Sequence, residues 1–282
     1  MHPILDKQNE AYFIKLLKAS SIVYSKAKRG EVTITTTMVL LSFIYPVIYL
    51  NELGENVKIF VFALSFLLSI LVQLVKTQSN KLTQLGAVIK EEFDTSLFGL
   101  PWKRTISRPQ LSEISHFAQL YTRNDITNWY SISVSKNLPD ETAVALLQYS
   151  NTIWDIKLRQ KYLFAIKGYL IFYTMILFGV FVYFEPKFEI IFFTLISLLS
   201  FYTHFISIIK GHTTVIRRRT FISQIIDSGL KERTLLSKSF LRDIQDEIYQ
   251  TRTEIIKVPN FFFRLFKSKL SIEIDKLVGE VF

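Results

Sequence analysis

The chain has no cysteine, so a disulfide framework, a thiolate nucleophile and a cysteine-liganded metal are all excluded. Its four histidines, His2, His116, His204 and His212, are scattered, and no zinc site or other metal site is expected. Glycine is scarce, with nine residues in 282, too few for the turns of an all-β protein. Charge is also missing from four long stretches of sequence. A chain that is 49% hydrophobic and piles its apolar residues into four blocks is using lipid as solvent.

The uncharged blocks run over 32–51, 59–75, 168–184 and 190–209, each long enough to cross a hydrocarbon core about 30 Å thick. Thirteen residues between Ile59 and Val75 are Ile, Val, Leu or Phe. At the helix centre they contribute about −4 to −8 kcal/mol to insertion, before the cost of Ser65, Ser69 and Gln73. The third block extends back to residue 163 if the long stem of Lys167 snorkels. A cleaved signal peptide does not fit the first block, which 31 residues precede and a second apolar block follows.

The blocks pair into two hairpins, 32–76 and 163–209, through connectors at 51–58 and 185–189 that each carry a net charge of −1. The flanking segments are basic: six basic against three acidic groups in 1–31, twelve against eight in 76–167, and fourteen against nine in 210–282. The positive-inside rule puts the N-terminus, the middle segment and the C-terminus in the cytoplasm. The fold class expected is therefore an all-α membrane protein. Four transmembrane helices form two hairpins, and 77–162 with 210–282 build a mainly helical cytoplasmic domain.

In the arm, Leu5, Phe13, Leu16, Leu17, Ser20, Val23, Tyr24 and Ala27 recur at helical spacing, with a helix stop expected at Gly30. This amphipathic helix either lies on the bilayer or packs on the cytoplasmic body, and packing is the simpler reading. A break is expected at Phe98-Gly-Leu-Pro-Trp102, a helix over Leu111–Tyr121, and extended chain at Trp129–Val134. A further helix should start at Pro139-Asp-Glu and lead into the third span. In the tail, Leu236, Phe240, Leu241, Ile244, Ile248 and Ile255 form a helical stripe ended by Pro259, followed by the aromatic cluster Phe261, Phe262, Phe263 and Phe266.

No catalytic constellation is present: there is no Walker-type loop, no GxSxG and no HExxH, and an enzyme is not expected. The adjacent carboxylates Glu91-Glu92, Asp140-Glu141 and Asp246-Glu247 read as structural, solvated helix faces. The spans carry two polar stripes. One is Ser65, Ser69 and Gln73; the other is Thr194, Ser197, Ser200, His204 and Ser207. They either hydrogen-bond between helices or line a water path in an assembly of chains. Arginines and aromatics lie near each other in sequence at Trp102, Lys103, Arg104 and Arg108, and again at Tyr121, Arg123, Trp129 and Tyr130. Such a set suits nucleobases and phosphates, and the basic surface of a core would look alike. Arg217, Arg218 and Arg219, beyond the fourth span, suit anionic lipid headgroups.

Three segments carry a family resemblance. They are Lys7–Glu10 with Tyr24-Ser-Lys-Ala-Lys28, Ile89-Lys-Glu-Glu-Phe-Asp-Thr-Ser-Leu-Phe-Gly-Leu-Pro-Trp102, and Leu241–Tyr249 with Arg252 and Val258–Phe263. With the spacing of the spans, the chain resembles the S-4TM effectors associated with bacterial cyclic-nucleotide synthases. It departs from their pattern after Val258-Pro259, where Asn260 and Phe261 stand in place of an acidic residue and a tryptophan. The resemblance implies a cyclic-oligonucleotide-based antiphage system. In it a partner nucleotidyltransferase makes a cyclic di- or trinucleotide, the only small molecule expected. The effector, a multi-pass protein of the bacterial inner membrane, binds it, associates with copies of itself and permeabilises the membrane. DNA or RNA is not expected as a direct substrate. The alternatives are a non-conducting membrane-anchored scaffold or sensor, or a small transporter.

Overall fold

The structure is a computed structural model that describes residues 2–51, 54–232, 236–254 and 256–281, without the side chains at 55, 58, 62, 65, 68, 69, 73, 280 and 281. The expected stripe of Ser65, Ser69 and Gln73, and Ile255 of the tail stripe, lie outside the described residues. Eight helices are described, with no strand among the described residues: α1 Pro3–Lys7, α2 Ala11–Leu50, α3 Glu55–Phe98, α4 Leu111–Gln119, α5 Asp140–Phe184, α6 Phe188–Lys231, α7 Lys238–Thr253 and α8 Asn260–Val281.

Helices α2, α3, α5 and α6 hold 40 to 45 residues each. At 1.5 Å per residue each is about 60 Å long, roughly twice the hydrocarbon thickness of a bilayer. Each therefore joins an apolar half to a polar half without a break. By length and composition α2, α5 and α6 can cross a membrane. The second expected span, 59–75, lies in α3, where Ile59, Phe60, Phe66, Leu67 and Leu74 are exposed.

The helix stop expected at Gly30 does not occur. Helix α2 runs straight through it, because a neighbouring helix fills the space a side chain would need. A Cβ on Gly30 would stand 2.9 Å from Cγ1 of Val75 on α3. The glycine serves a close helix approach, reinforced one turn away where Ser79 Oγ donates to the Ala27 carbonyl at 2.9 Å. The arm packs on the polar body rather than on a bilayer: Leu5, Phe13, Leu16, Leu17 and Val23 are buried against Ile89, Phe93 and their neighbours.

Other breaks fall where expected. Gly99 caps α3 with φ +64°, a left-handed conformation that glycine adopts without strain. The segment 129–134, expected to be extended, lies outside any helix and bends at 129, 130 and 132, with Tyr130, Ile132 and Val134 buried and the residues between them exposed. Among the described residues no partner strand pairs with it; the His2 amide donates to the Val134 carbonyl at 3.1 Å, and side chains make further bonds. Gln8 accepts from the Tyr130 amide at 2.8 Å and donates to its carbonyl at 3.1 Å, and Asp275 accepts from the Ser133 amide at 2.7 Å.

In the tail, α7 ends at Thr253, and Pro259 stands before the start of α8 instead of closing the preceding helix. The aromatic cluster is the first part of α8. Phe262, Leu270, Ile274 and Val278 bury one face of that helix, which packs on α5.

Two apolar clusters result. One centres on the polar body. The other joins Ile34, Tyr45 and Tyr49 of α2, Tyr173 and Leu177 of α5, and Leu198, Phe201 and Phe205 of α6. Hydrogen bonds cross this second cluster, from Tyr173 OH to the Ser42 carbonyl at 2.6 Å, between Tyr49 OH and Ser197 Oγ at 3.1 Å, and between Thr35 Oγ1 and His204 Nε2 at 3.0 Å.

Candidate functional site

A cavity of about 540 Å³ opens in the polar body where α2, α5, α6, the 121–132 loop and the start of α8 converge. Nine of its described lining residues are Lys or Arg, and a single one, Asp155, is a carboxylate. Six aromatic side chains share the wall: Tyr24, Tyr121, Trp129, Tyr130, Trp154 and Phe263. A space of this kind accepts a polyanion with flat rings.

At one side of the cavity a buried polar network ties α3 to α7. Arg242 Nη2 meets Glu91 at 2.6 Å, Gln245 donates to Glu91 at 2.7 Å, and Arg252 Nη1 meets Asp94 at 2.5 Å. Tyr130 OH donates to Asp94 at 2.9 Å, which fixes the 121–132 loop to α3. Burial works to raise the Asp94 carboxyl, but Arg252 and Lys90 outweigh it and hold Asp94 below the usual carboxylate range. Burial raises Glu91. Glu91 and Glu92 are thus not a solvated face: both are buried, and Glu92 accepts from Tyr12 at 3.0 Å and from Arg108 at 3.3 Å. Lys90 Nζ lies 4.0 Å from the Trp129 ring and 3.7 Å from Asp94, and makes no hydrogen bond. Burial pushes this ammonium down to about 7.

At the other side a second cluster joins α2, α5, α6 and the chain between α7 and α8. Asp155 takes Arg159 Nε at 2.7 Å and Arg219 Nε at 3.0 Å. Arg159 Nη1 donates to His212 Nδ1 at 2.9 Å, which leaves the ring proton on Nε2. Burial, then Arg159, holds the His212 ring neutral, down to about 3. Lys28 donates to Asn260 at 3.0 Å and lies over the Phe263 ring at 5.6 Å. Lys257 donates to the carbonyls of Arg252, at 2.8 Å, and Glu254. Burial and the adjacent Arg159 lower Lys28 to about 8 and Lys257 to about 7, while burial raises Glu31 to about 7.

The structure divides the residues picked out from the sequence. Tyr121, Arg123, Trp129 and Tyr130 line the cavity. Trp102, Lys103, Arg104 and Arg108 do not, and three of these hold local structure. Trp102 Nε1 donates to the Ile106 carbonyl at 2.6 Å, Arg108 stacks 5.2 Å from the Trp102 ring, and Lys103 pairs with Asp246 at 2.9 Å. The three arginines beyond the fourth span separate as well: Arg217 is exposed, Arg218 pairs with Glu254 at 3.3 Å and Glu247 at 3.6 Å, and Arg219 is buried in the cavity wall. Arg219 is therefore closed to lipid headgroups on the outer surface. In the fourth span Ser197 and His204 make the bonds to α2 given above, and Ser200 is half-buried.

Sequence reasoning missed Lys28, Lys90, Arg159, Arg219, Arg252 and Lys257 as one set. They are up to 229 positions apart, and only the tertiary fold unites them. Among the described residues no group of His, Asp or Glu could hold a metal ion.

Comparison with known proteins accords with the sequence resemblance. A protein of Bacillus cereus (strain VD146), named a probable CBASS effector molecule, is 26% identical over 282 residues, covering 94% of each chain. No solved structure matches the chain. The family described as the SMODS-associating 4TM effector domain matches residues 2–280, essentially the whole length, and the chain belongs to that family.

Proposed function

We propose that this chain is the membrane effector of a bacterial cyclic-oligonucleotide antiphage system. Its ligand is a cyclic di- or trinucleotide bound in the basic, aromatic-walled cavity. The observation that carries this reading is the composition of the cavity wall: nine cationic side chains and six aromatic ones against one carboxylate. Phosphodiesters meet the guanidinium and ammonium groups, and bases stack on the rings. Family membership and the likeness to a probable CBASS effector support the antiphage role.

The four apolar blocks cross the inner membrane as two hairpins, with both termini and the cavity in the cytoplasm. Ligand binding favours an assembled state of several chains, because only a difference in affinity between states can shift their balance. That assembly permeabilises the membrane. The partner of this chain is a nucleotidyltransferase that makes the ligand, a reading that the family relation supports.

The test is dye release from liposomes that contain the purified chain, with and without a panel of cyclic di- and trinucleotides. The expected result is leakage that one of them triggers at micromolar concentration or below. Leakage indifferent to every member of the panel overturns the gating. A chain that binds the ligand and never leaks is a scaffold or sensor instead.

A further inference from the structure

The cavity has two unlike ends. The loop end, at Trp129 and Tyr130, is rich in rings, and its cations Lys90 and Arg252 share the buried carboxylate Asp94. The other end brings four cations, Lys28, Arg159, Arg219 and Lys257, around Asp155, with Glu31 alongside. Arg219 is the residue out of place there. It is 3% exposed and lines the cavity; its Nε lies 3.0 Å from Asp155, yet neither Nε nor Nη1 makes a hydrogen bond. A buried guanidinium with a free donor beside an open cavity is a group that still has a bond to make.

We infer that the end formed by Lys28, Arg159, Arg219 and Lys257 is a phosphate subsite, which takes one phosphodiester of the ligand while the loop end takes a base. That the phosphodiester belongs to a cyclic nucleotide rests on the function proposed above; the phosphate assignment itself does not. A phosphate here completes the Arg219 bonding and adds negative charge where cations exceed carboxylates. Burial and neighbouring cations depress Lys28 and Lys257, and an anion bound between them favours their charged forms. The subsite also has a particular place in the fold. Lys28 lies on α2, Arg159 on α5 and Arg219 on α6, the three helices able to cross the membrane, and Lys257 lies in the chain between α7 and α8. One bound phosphate touches all of them. The phosphate of an anionic lipid has the same chemistry as that of a nucleotide, and the experiment separates the two.

The full-length chain in zwitterionic detergent is melted against increasing pyrophosphate. The wild type is expected to show a saturable rise in Tm. Lys28→Met keeps the apolar stem and removes a charge that burial disfavours, so the unliganded protein should melt no lower than wild type while its apparent pyrophosphate affinity falls at least tenfold. Arg219→Gln should lose affinity equally, and Arg217→Gln, an exposed change two residues away, should lose none. A Lys28→Met protein that responds like the wild type, or a wild type that does not respond at all, overturns the subsite. Competition then identifies the source. Displacement of pyrophosphate by a cyclic dinucleotide at lower concentration than by short-chain phosphatidylglycerol supports the subsite and the proposed function together. Displacement by the lipid alone supports the subsite and removes the nucleotide reading.

Discussion

Asp94 of α3 and Arg252 of α7 form a buried ion pair, 2.5 Å apart, that joins the middle of the chain to its tail. Removing one partner of such a pair strands the other charge in the interior, at a cost of about 3–5 kcal/mol. Asp94→Asn should therefore lower the unfolding free energy in detergent by that order. Asp94→Asn combined with Arg252→Gln should cost less than the sum of the two single changes, and strict additivity would show that the pair is not coupled.

The unliganded protein should become more stable as pH rises above neutrality. Lys90 and Lys257 are pushed from an ordinary 10.5 to about 7 by burial, so between pH 7 and 10.5 the unfolded chain binds more protons than the native one. Their destabilising effect is complete below about pH 7 and fades toward 10.5. Glu31, raised from 4.5 to about 7, acts oppositely: its contribution is complete below about 4.5 and lost as pH rises through 7. Melting curves should therefore climb between pH 7.5 and 9.5, and a flat or falling trend there would contradict the burial of the two lysines.

A polyanion requires those ammonium groups charged, so its affinity should move the other way. Binding is expected to weaken from pH 6 to pH 8 and to draw protons from the buffer. Titration calorimetry in two buffers of different ionisation enthalpy reads the uptake directly. No difference between the buffers would mean that the lysines are charged before the ligand binds.

Ser197 and His204 bond to Tyr49 and Thr35 within one chain, which favours a packing role for the fourth-span stripe. Ser197→Ala should cost about 0.6 kcal/mol, the average for a hydrogen bond between membrane helices, and leave ligand-triggered leakage unchanged. Leakage abolished in a protein of normal stability would instead assign the stripe to a water path.

Gly211 of α6 supports the chain that carries Lys257. A Cβ there would stand 2.0 Å from Cδ1 of Ile256, so Gly211→Ala must displace that side chain. The Ile256 carbonyl accepts from Arg159 at 3.1 Å, and the shift should reach the cluster around it. We expect polyanion affinity to fall by more than the stability loss of about 1–3 kcal/mol would suggest from overpacking alone. Calorimetry and thermal melting on one sample compare the two effects.

How much of this was legible before the fold was known differs by region. The apolar stretches of α2, α5 and α6, the break at Gly99 and the alternation of Tyr130, Ile132 and Val134 follow from composition and local periodicity, which a sequence displays directly. Helix α8 was missed, although Phe262, Phe266, Leu270, Ile274 and Val278 recur every fourth residue; the phenylalanine cluster at 261–263 obscured that spacing. Gly30 misled because a glycine that ends a helix and one that admits a neighbouring helix look the same in one dimension. The cavity was half legible. Trp129 and Tyr130 sit next to each other, whereas Lys28, Arg159, Arg219 and Lys257 belong to four separate segments and reveal nothing of one another until the chain is folded.

Helix α5 contains no proline and runs unbroken from Arg159 to Phe184. Those 26 residues make a stiff rod roughly 39 Å long, so a tilt of about 5° imposed at Arg159 would swing its far tip by about 3 Å. A lever of that kind needs no flexible hinge to carry a small rearrangement around an anion through the full thickness of a bilayer.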